Sequence, residues 1–386
     1  MSRENRLFWY DAVRGVSALA VCAGHLRASM FYDYADVTSR EHWQSLFYFA
    51  TGLGHQAVMV FFVLSGFFVG GSVLRSRHAF CWRSYSVARL SRLWTVLIPA
   101  LVFTALADYA IGIAWPKVFI GDGYFFRWAS GPREEFYSDS ALTFLANTLF
   151  LQTITAPIFG CNGPLWSLAN EFWYYLIFPL IVAVAYPRLR VASVMYGLIA
   201  VGLMFWLPRN LVFDGLIWGF GAILYCVRDK PIFKKWWSQM AACVTTGGLF
   251  AASLINSKYD LVNRVANIDS DLLVGITFAF FAWHLIALPS PKTAWLGEII
   301  RWLSDISYTL YLFHFPITIA VGAYLTDSDQ FQPTFTNLLR YSFVLLFILM
   351  LSHIAWLIFE RNTNRVRQWM RSAVGLQTAL RVTSKQ

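Results

Sequence analysis

Apolar residues in this chain come in long uninterrupted blocks, not as one stripe per element. Ten blocks, approximately 7–31, 55–74, 92–114, 165–186, 190–207, 211–227, 238–256, 271–288, 303–324 and 338–359, hold 17 to 25 residues each. An α-helix needs roughly 20 residues to cross a bilayer. The pattern predicts an all-α fold: a polytopic integral membrane protein with about ten transmembrane helices around a central cavity. The first block lacks the short core and small-residue cleavage end of a signal peptide, so it reads as a retained span. Residues 141–155 (ALTFLANTLFLQTIT) are apolar but too short to cross. They predict a re-entrant or interfacial segment. The domain reading is a membrane domain over 1–360 and a short basic tail over 361–386.

The polar positions inside those blocks carry the chemistry. Asp11, Arg14 and His25 in the first block share one helical face within about 60°, Arg14 and His25 standing about 16 Å apart along the axis. Each would cost a few kcal/mol against hydrocarbon, so they face a bundle interior or a wet cavity. Asp11 and Arg14 alone, at i,i+3, also fit an ion pair at the membrane edge; His25, deep in the span, has no such packing rationale. Cys22, one turn before His25, is a weaker nucleophile candidate, because buried cysteine is usually inert. A second polar stripe runs through Ser167, Asn170, Glu171 and Tyr174, flanked by Trp166, Phe172, Trp173 and Tyr175. Ser304, Ser307, Tyr311, His314 and Thr318 form a third, with Pro316 beside His314. In the second block Ser65 and Gly66 form a notch suited to helix packing or to a ligand's close approach.

Composition agrees: 58% hydrophobic, 18% aromatic and only 13% charged residues exclude an ordinary soluble domain. A net charge of +10 raises the question of nucleic acid, but its distribution answers it. With the N-terminus inside, 21 of the 31 basic residues fall in inner segments and nine at outer ends, so the positive-inside rule puts both termini in the cytoplasm and accounts for the charge without nucleic acid. Five arginines lie between 75 and 92. They fit either orientation by charge and contact with membrane lipid, or a phosphate site, for which the guanidinium fork is suited. The five cysteines show no paired spacing, the seven histidines no metal-ligand cluster, and no phosphate-loop glycine pattern occurs. The outer segment 115–155, with Gly121, Asp122, Arg127, Arg133 and Glu134, leaves room for an acceptor site.

In this order, several motifs resemble the acyltransferase-3 family of integral-membrane acyltransferases, which includes O-antigen and exopolysaccharide O-acetylases. They are Asp11-Ala12-Val13-Arg14-Gly15 with His25; Phe61-Phe62-Val63-Leu64-Ser65-Gly66-Phe67; Arg75-Ser76-Arg77; Gly163-Pro164-Leu165-Trp166-Ser167-Leu168 with Glu171; Ile306 through Pro316; and Glu360. Asn170 and Asn362 depart from the family pattern without touching these residues. The resemblance implies acyl transfer, usually acetyl from acetyl-CoA, to a hydroxyl of a surface glycan or lipid-linked oligosaccharide, in a bacterial inner membrane and without a metal. His25, Asp11, Arg14 and Glu171 are then the catalytic candidates. Arg75, Arg77, Ser65 and Gly66 are candidates for holding acyl-CoA, and Trp166, Ser167, Asn170, Tyr311 and His314 for the acceptor. The expected mechanism has a thioester held by the inner arginines reaching an imidazole in the outer half of the membrane, His25 acting as general base or carrying a covalent acyl group. The main rival is a lipid-linked glycan flippase, although no internal repeat favours one.

Overall fold

The structure, a computed structural model, describes residues 3–118, 137–186, 190–230, 235–259, 269–291, 293–326 and 330–375. Each apolar block lies on a helix: α1 (Arg3–Met30), α3 (Gly54–Ser65) continuing through a π-helical turn at Gly66–Gly70 into α4 (Gly71–Ser76), α5 (Trp82–Ala114), α7 (Leu165–Ala185), α8 (Arg190–Trp206), α9 (Arg209–Val227), α10 (Trp236–Tyr259), α11 (Ser270–Leu285), α12 (Ala294–Thr326) and α13 (Phe335–Ile358). Shorter helices α2 (His42–Thr51), α6 (Ala141–Thr148) and α14 (Thr363–Ala373) connect or follow them. Among the described residues, seven helices are long and apolar enough to cross a membrane. The chain is a polytopic membrane protein. Helices α8 and α11 are apolar but shorter, and Asp11 and Arg14 dilute the apolarity of the 28-residue α1.

Helices α5 and α12 begin ten and nine residues before the expected starts at 92 and 303. Hydropathy marks only the part of a helix that lies in hydrocarbon, whereas the backbone hydrogen-bond ladder continues into polar surroundings. The apolar stretch 141–155 forms the eight-residue α6 and a tight turn, with positive φ at Phe150 and Thr153. Of the outer segment, residues 119–136 lie outside the described residues, and with them Gly121, Asp122, Arg127, Arg133 and Glu134.

At the centre stands α12, 83% of whose most apolar window is buried inside the bundle, against 17% for the peripheral α10. Its closest partner is α1. The polar stripes of the two helices face each other: Arg14 donates to the Ser304 carbonyl (2.9 Å), Ser304 Oγ donates to Asp11 Oδ1 (2.8 Å), and His25 meets His314. Gly15 lets the backbones approach, since a Cβ there would stand 2.8 Å from Leu303 Cβ. Large apolar side chains such as Leu106, Ile113, Phe205 and Phe343 point outward, as a lipid-facing surface requires.

Three prolines, Pro99, Pro179 and Pro316, lie inside helices and leave a carbonyl without its usual donor; at the last two a side chain supplies one. Pro316 frees the Leu312 carbonyl, which accepts from Asn162 Nδ2 at 2.9 Å. Pro179 frees the Tyr175 carbonyl, which accepts from Tyr85 OH at 3.0 Å. The Asn162 bond ties the turn before α7 to the centre of α12. Glu360 ties the far end similarly, accepting from Thr309 N (3.2 Å) and Thr309 Oγ1 (2.6 Å).

The Ser65-Gly66 notch is a packing feature on its glycine side. A Cβ on Gly66 would meet the Trp218 carbonyl oxygen, and one on Gly221 the Val63 carbonyl oxygen, so α3 and α9 touch backbone to backbone. Gly221→Ala should therefore lower stability by about 1–3 kcal/mol through forced separation of the helices. Gly219→Ala, with nothing within 4 Å, should leave it unchanged. Thermal unfolding of both variants in detergent checks this.

Candidate active site

Helices α1, α3, α5, α7 and α12 enclose a cavity of about 270 Å³. Three guanidinium groups line it: Arg14 from α1, and Arg89 and Arg92 from α5. Arg92 lies deep among the helices yet stays accessible, because its side chain projects into the cavity. Glu360 and Glu171 are the carboxylates acting on it, with Tyr175 and Tyr308 close by. Among the described residues, no hydrogen bond or ion pair within contact distance engages it. The buried Nε atoms of Arg14 and Arg89 also lack partners. Three fork-shaped cations lining one cavity, two of them with an unpartnered Nε, suit a ligand with clustered phosphates. Farther in, the walls are apolar and hydroxylic: Val58, Phe61, Leu93, Ser65, Ser167 and Ser307.

The cavity stops at Tyr311 and Ser167, whose hydroxyls are 2.6 Å apart and lie 3.1 and 3.2 Å from the Pro164 carbonyl; with one proton each, one hydroxyl donates to the other and that one to the carbonyl. The Gly163-Pro164-Leu165-Trp166-Ser167 motif thus holds a polar plug. Beyond Tyr311, at 6.0 Å between ring centroids, sits His314, fully buried. His25 lies parallel to His314 with centroids 5.1 Å apart, and its Nδ1 is 2.8 Å from His314 Nε2.

That contact fixes two tautomers. His314 Nδ1 is 2.9 Å from the Leu310 carbonyl. A carbonyl only accepts, so Nδ1 carries the proton and Nε2 of the neutral ring presents a lone pair. His25 Nδ1–H must then donate to it, which leaves the lone pair of His25 on Nε2, turned away from His314. Phe315 packs edge-on against His25 at 5.0 Å and holds the ring in place.

The expected residues divide accordingly. Arg14, Ser65, Ser167, Glu171 and Tyr311 line the cavity. Asp11 supports Arg14 at 3.8 Å, and His25 pairs with His314 outside it. Gly66 is taken up by Trp218. Arg75 and Arg77 are exposed and do not line the cavity; Arg77 donates to the Leu74 carbonyl and stacks over Tyr186. The structure brings forward Arg89 and Arg92 from the same cluster, because they open α5 with their i,i+3 face turned inward while the 75–77 pair ends α4 on the outside. Tyr308 carried no sequence signal beyond its place in the Ile306–Pro316 motif. Trp166 and Asn170 form a separate group: Trp166 stacks on His55, which is 2.6 Å from Asp271, and Asn170 Nδ2 is 3.4 Å from Asp214. Cys22 is fully buried and lines no part of the cavity. Among the described residues, no group of His, Cys, Asp and Glu is arranged to hold a metal ion.

The arginine-lined cavity and the histidine pair beyond its plug both lie inside a membrane-spanning helix bundle. The acyltransferase domain that describes the acyltransferase-3 family matches residues 7–357. The chain belongs to that family, and it is an acyltransferase. It is 24% identical over 374 residues to an O-acetyl transferase of Shigella phage Sf6, covering 92% of this chain and 95% of that protein. It is also 27% identical over 145 residues to an uncharacterized protein of Haemophilus influenzae, covering 36% of this chain and 53% of that one. No solved structure matches it.

The tautomer assignment is directly measurable. Nitrogen NMR of the protein labelled with ¹⁵N-histidine should show His25 and His314 both protonated at Nδ1, and His314→Phe should release His25 to the mixed tautomers of a free imidazole. A proton on Nε2 of neutral His25 would refute the assignment.

Proposed function

We propose that this chain transfers an acetyl group from acetyl-CoA to a hydroxyl of a cell-surface glycan or its lipid-linked precursor, with His25 as general base. The observation that carries the reading is the lone pair on His25 Nε2, set by His314 and the Leu310 carbonyl, one plug away from a cavity lined by three arginines. The naming of the Shigella phage relative as an O-acetyl transferase supports O-acetyl transfer over other acyl chemistry. The distribution of basic residues supports a cytoplasmic arginine end, where acetyl-CoA is available.

The residues present fit such a donor. Arg14, Arg89 and Arg92 would hold its phosphates, and the apolar and hydroxylic walls above them would receive its pantetheine arm; when bound, it supplies the activated thioester. Arg14 is kept in position by the Ser304 carbonyl and Asp11. Rotation of the Tyr311 side chain away from Ser167 joins the cavity to the histidine pair. His25 Nε2 then takes the proton of the acceptor hydroxyl as its oxygen bonds to the thioester carbon, and returns that proton to the departing sulfur. Through this step His25 Nδ1–H keeps its bond to His314 Nε2, so the ring stays aimed while its charge changes. Glu171, hydrogen-bonded by Tyr175 OH, offsets the positive charge of the arginine end.

Membranes containing the protein should move label from acetyl-CoA to glycan; a flippase would move glycan without consuming thioester. His25→Gln should lower transfer by about 10²- to 10⁴-fold while the protein still inserts and accumulates, and near-normal acetylation would reject the base role. Replacing Arg89 and Arg92 together with Lys keeps the charge and removes the fork. The KM for acetyl-CoA should then rise about tenfold, whereas the same change at Arg75 and Arg77 should leave it unaltered.

A further inference from the structure

The tail beyond Glu360 reads from sequence as a basic segment, yet in the structure it forms α14, packed against α5. Its charges are sorted by face. Arg365 and Trp369 are exposed, the indole at 70%, as suits a helix resting at lipid head groups. Arg367 and Arg371, at i,i+4, lie with Val366 and Met370 on the half-buried face. A helix held only by anionic lipid would turn its arginines outward; these two turn toward the protein.

What they face is more positive charge. The charged groups acting on Arg367 are Arg89, Arg371 and Arg92, with no carboxylate among them. The buried Nε atoms of Arg367 and Arg89 have no partner. Arg83 belongs to the same mouth, its guanidinium reaching Gly375 at the end of α14. Glu360 and Glu171, which act on Arg92 deeper in, do not act on Arg367. Like charges gathered here repel, and Arg367 is met by cations alone until an anion joins it. Arg89 and Arg92 line the cavity and also act on Arg367, so the outer pair stands at the arginine end of the cavity.

We infer that α14 forms the entrance half of the donor site, with Arg367 and Arg371 binding a phosphate set apart from the pair held by Arg14, Arg89 and Arg92. This rests on the donor reading above and adds the residues that bind the donor's separate phosphate. A donor with a diphosphate and a separate ribose phosphate, as in coenzyme A, satisfies both groups of arginines; a carrier with a single phosphodiester satisfies only one. The helix thereby selects nucleotide-bearing thioesters. The phosphate of a lipid head group offers the same chemistry to the outer pair, so the test distinguishes the two sources.

Binding, read by calorimetry on the full-length protein in nanodiscs, compares CoA with 3′-dephospho-CoA. The unaltered protein should prefer CoA by about tenfold or more. Arg367→Gln with Arg371→Gln should remove that preference by weakening CoA alone, Arg367→Lys with Arg371→Lys should restore part of it, and Arg365→Gln should leave it intact. The preference should be the same in zwitterionic nanodiscs and in discs containing phosphatidylglycerol. Equal binding of the two ligands by the unaltered protein overturns the inference. So does a preference that survives the double glutamine variant, or one that depends on phosphatidylglycerol, which would assign the pair to lipid. Because the readout is binding, a protein that discriminates the ligands but transfers no acetyl group would refute the proposed function and leave this inference standing.

Discussion

The pairing of α1 with α12 is the constraint on which the rest of the molecule depends. Each helix carries a row of groups that hydrocarbon would reject, and each row satisfies the other: guanidinium to carbonyl, hydroxyl to carboxylate, imidazole to imidazole. Separating them would expose every member of both rows, at a few kcal/mol apiece, so the two helices are locked in register as well as in contact. The lock aligns arginine with cavity and histidine with histidine. Gly15 is the steric condition for it, and Pro316 with Asn162 the reason the central helix can bend beside His314 without leaving a carbonyl bare.

Much of this could be read in the chain itself, because a bilayer simplifies the rules. Blocks of about 20 apolar residues had to be helices, and polar residues within them had to face inward. That reasoning located the three stripes and their principal members. It could not say which stripes would meet. Nothing in a single sequence sets the rotation of α12 against α1, so the bond from His25 to His314, and the tautomers that follow from it, needed coordinates.

The arginines show the other limit. Sequence counting treats a basic residue near a helix end as a topological signal, and Arg75, Arg77, Arg89 and Arg92 all qualify. The structure separates them by direction: the first two end α4 facing outward, whereas the second two begin α5 facing in. One charge can serve both purposes, since a residue that orients the chain in the bilayer is by that fact placed at the mouth of any cavity opening on the same side. The tail illustrates the same point, its positive charge being divided between an exposed face and one turned to the protein.

The bond between Ser167 and Tyr311 has a further consequence. A catalyst whose two substrates arrive from opposite compartments needs a route between them, and any such route, left open, would be a leak for protons and small ions. Two hydroxyls bonded to each other at one backbone carbonyl close the cavity at a single point, which a side-chain rotation would open. In the transfer proposed above, a barrier of this kind would part for the reacting fragment and otherwise stay shut against ions.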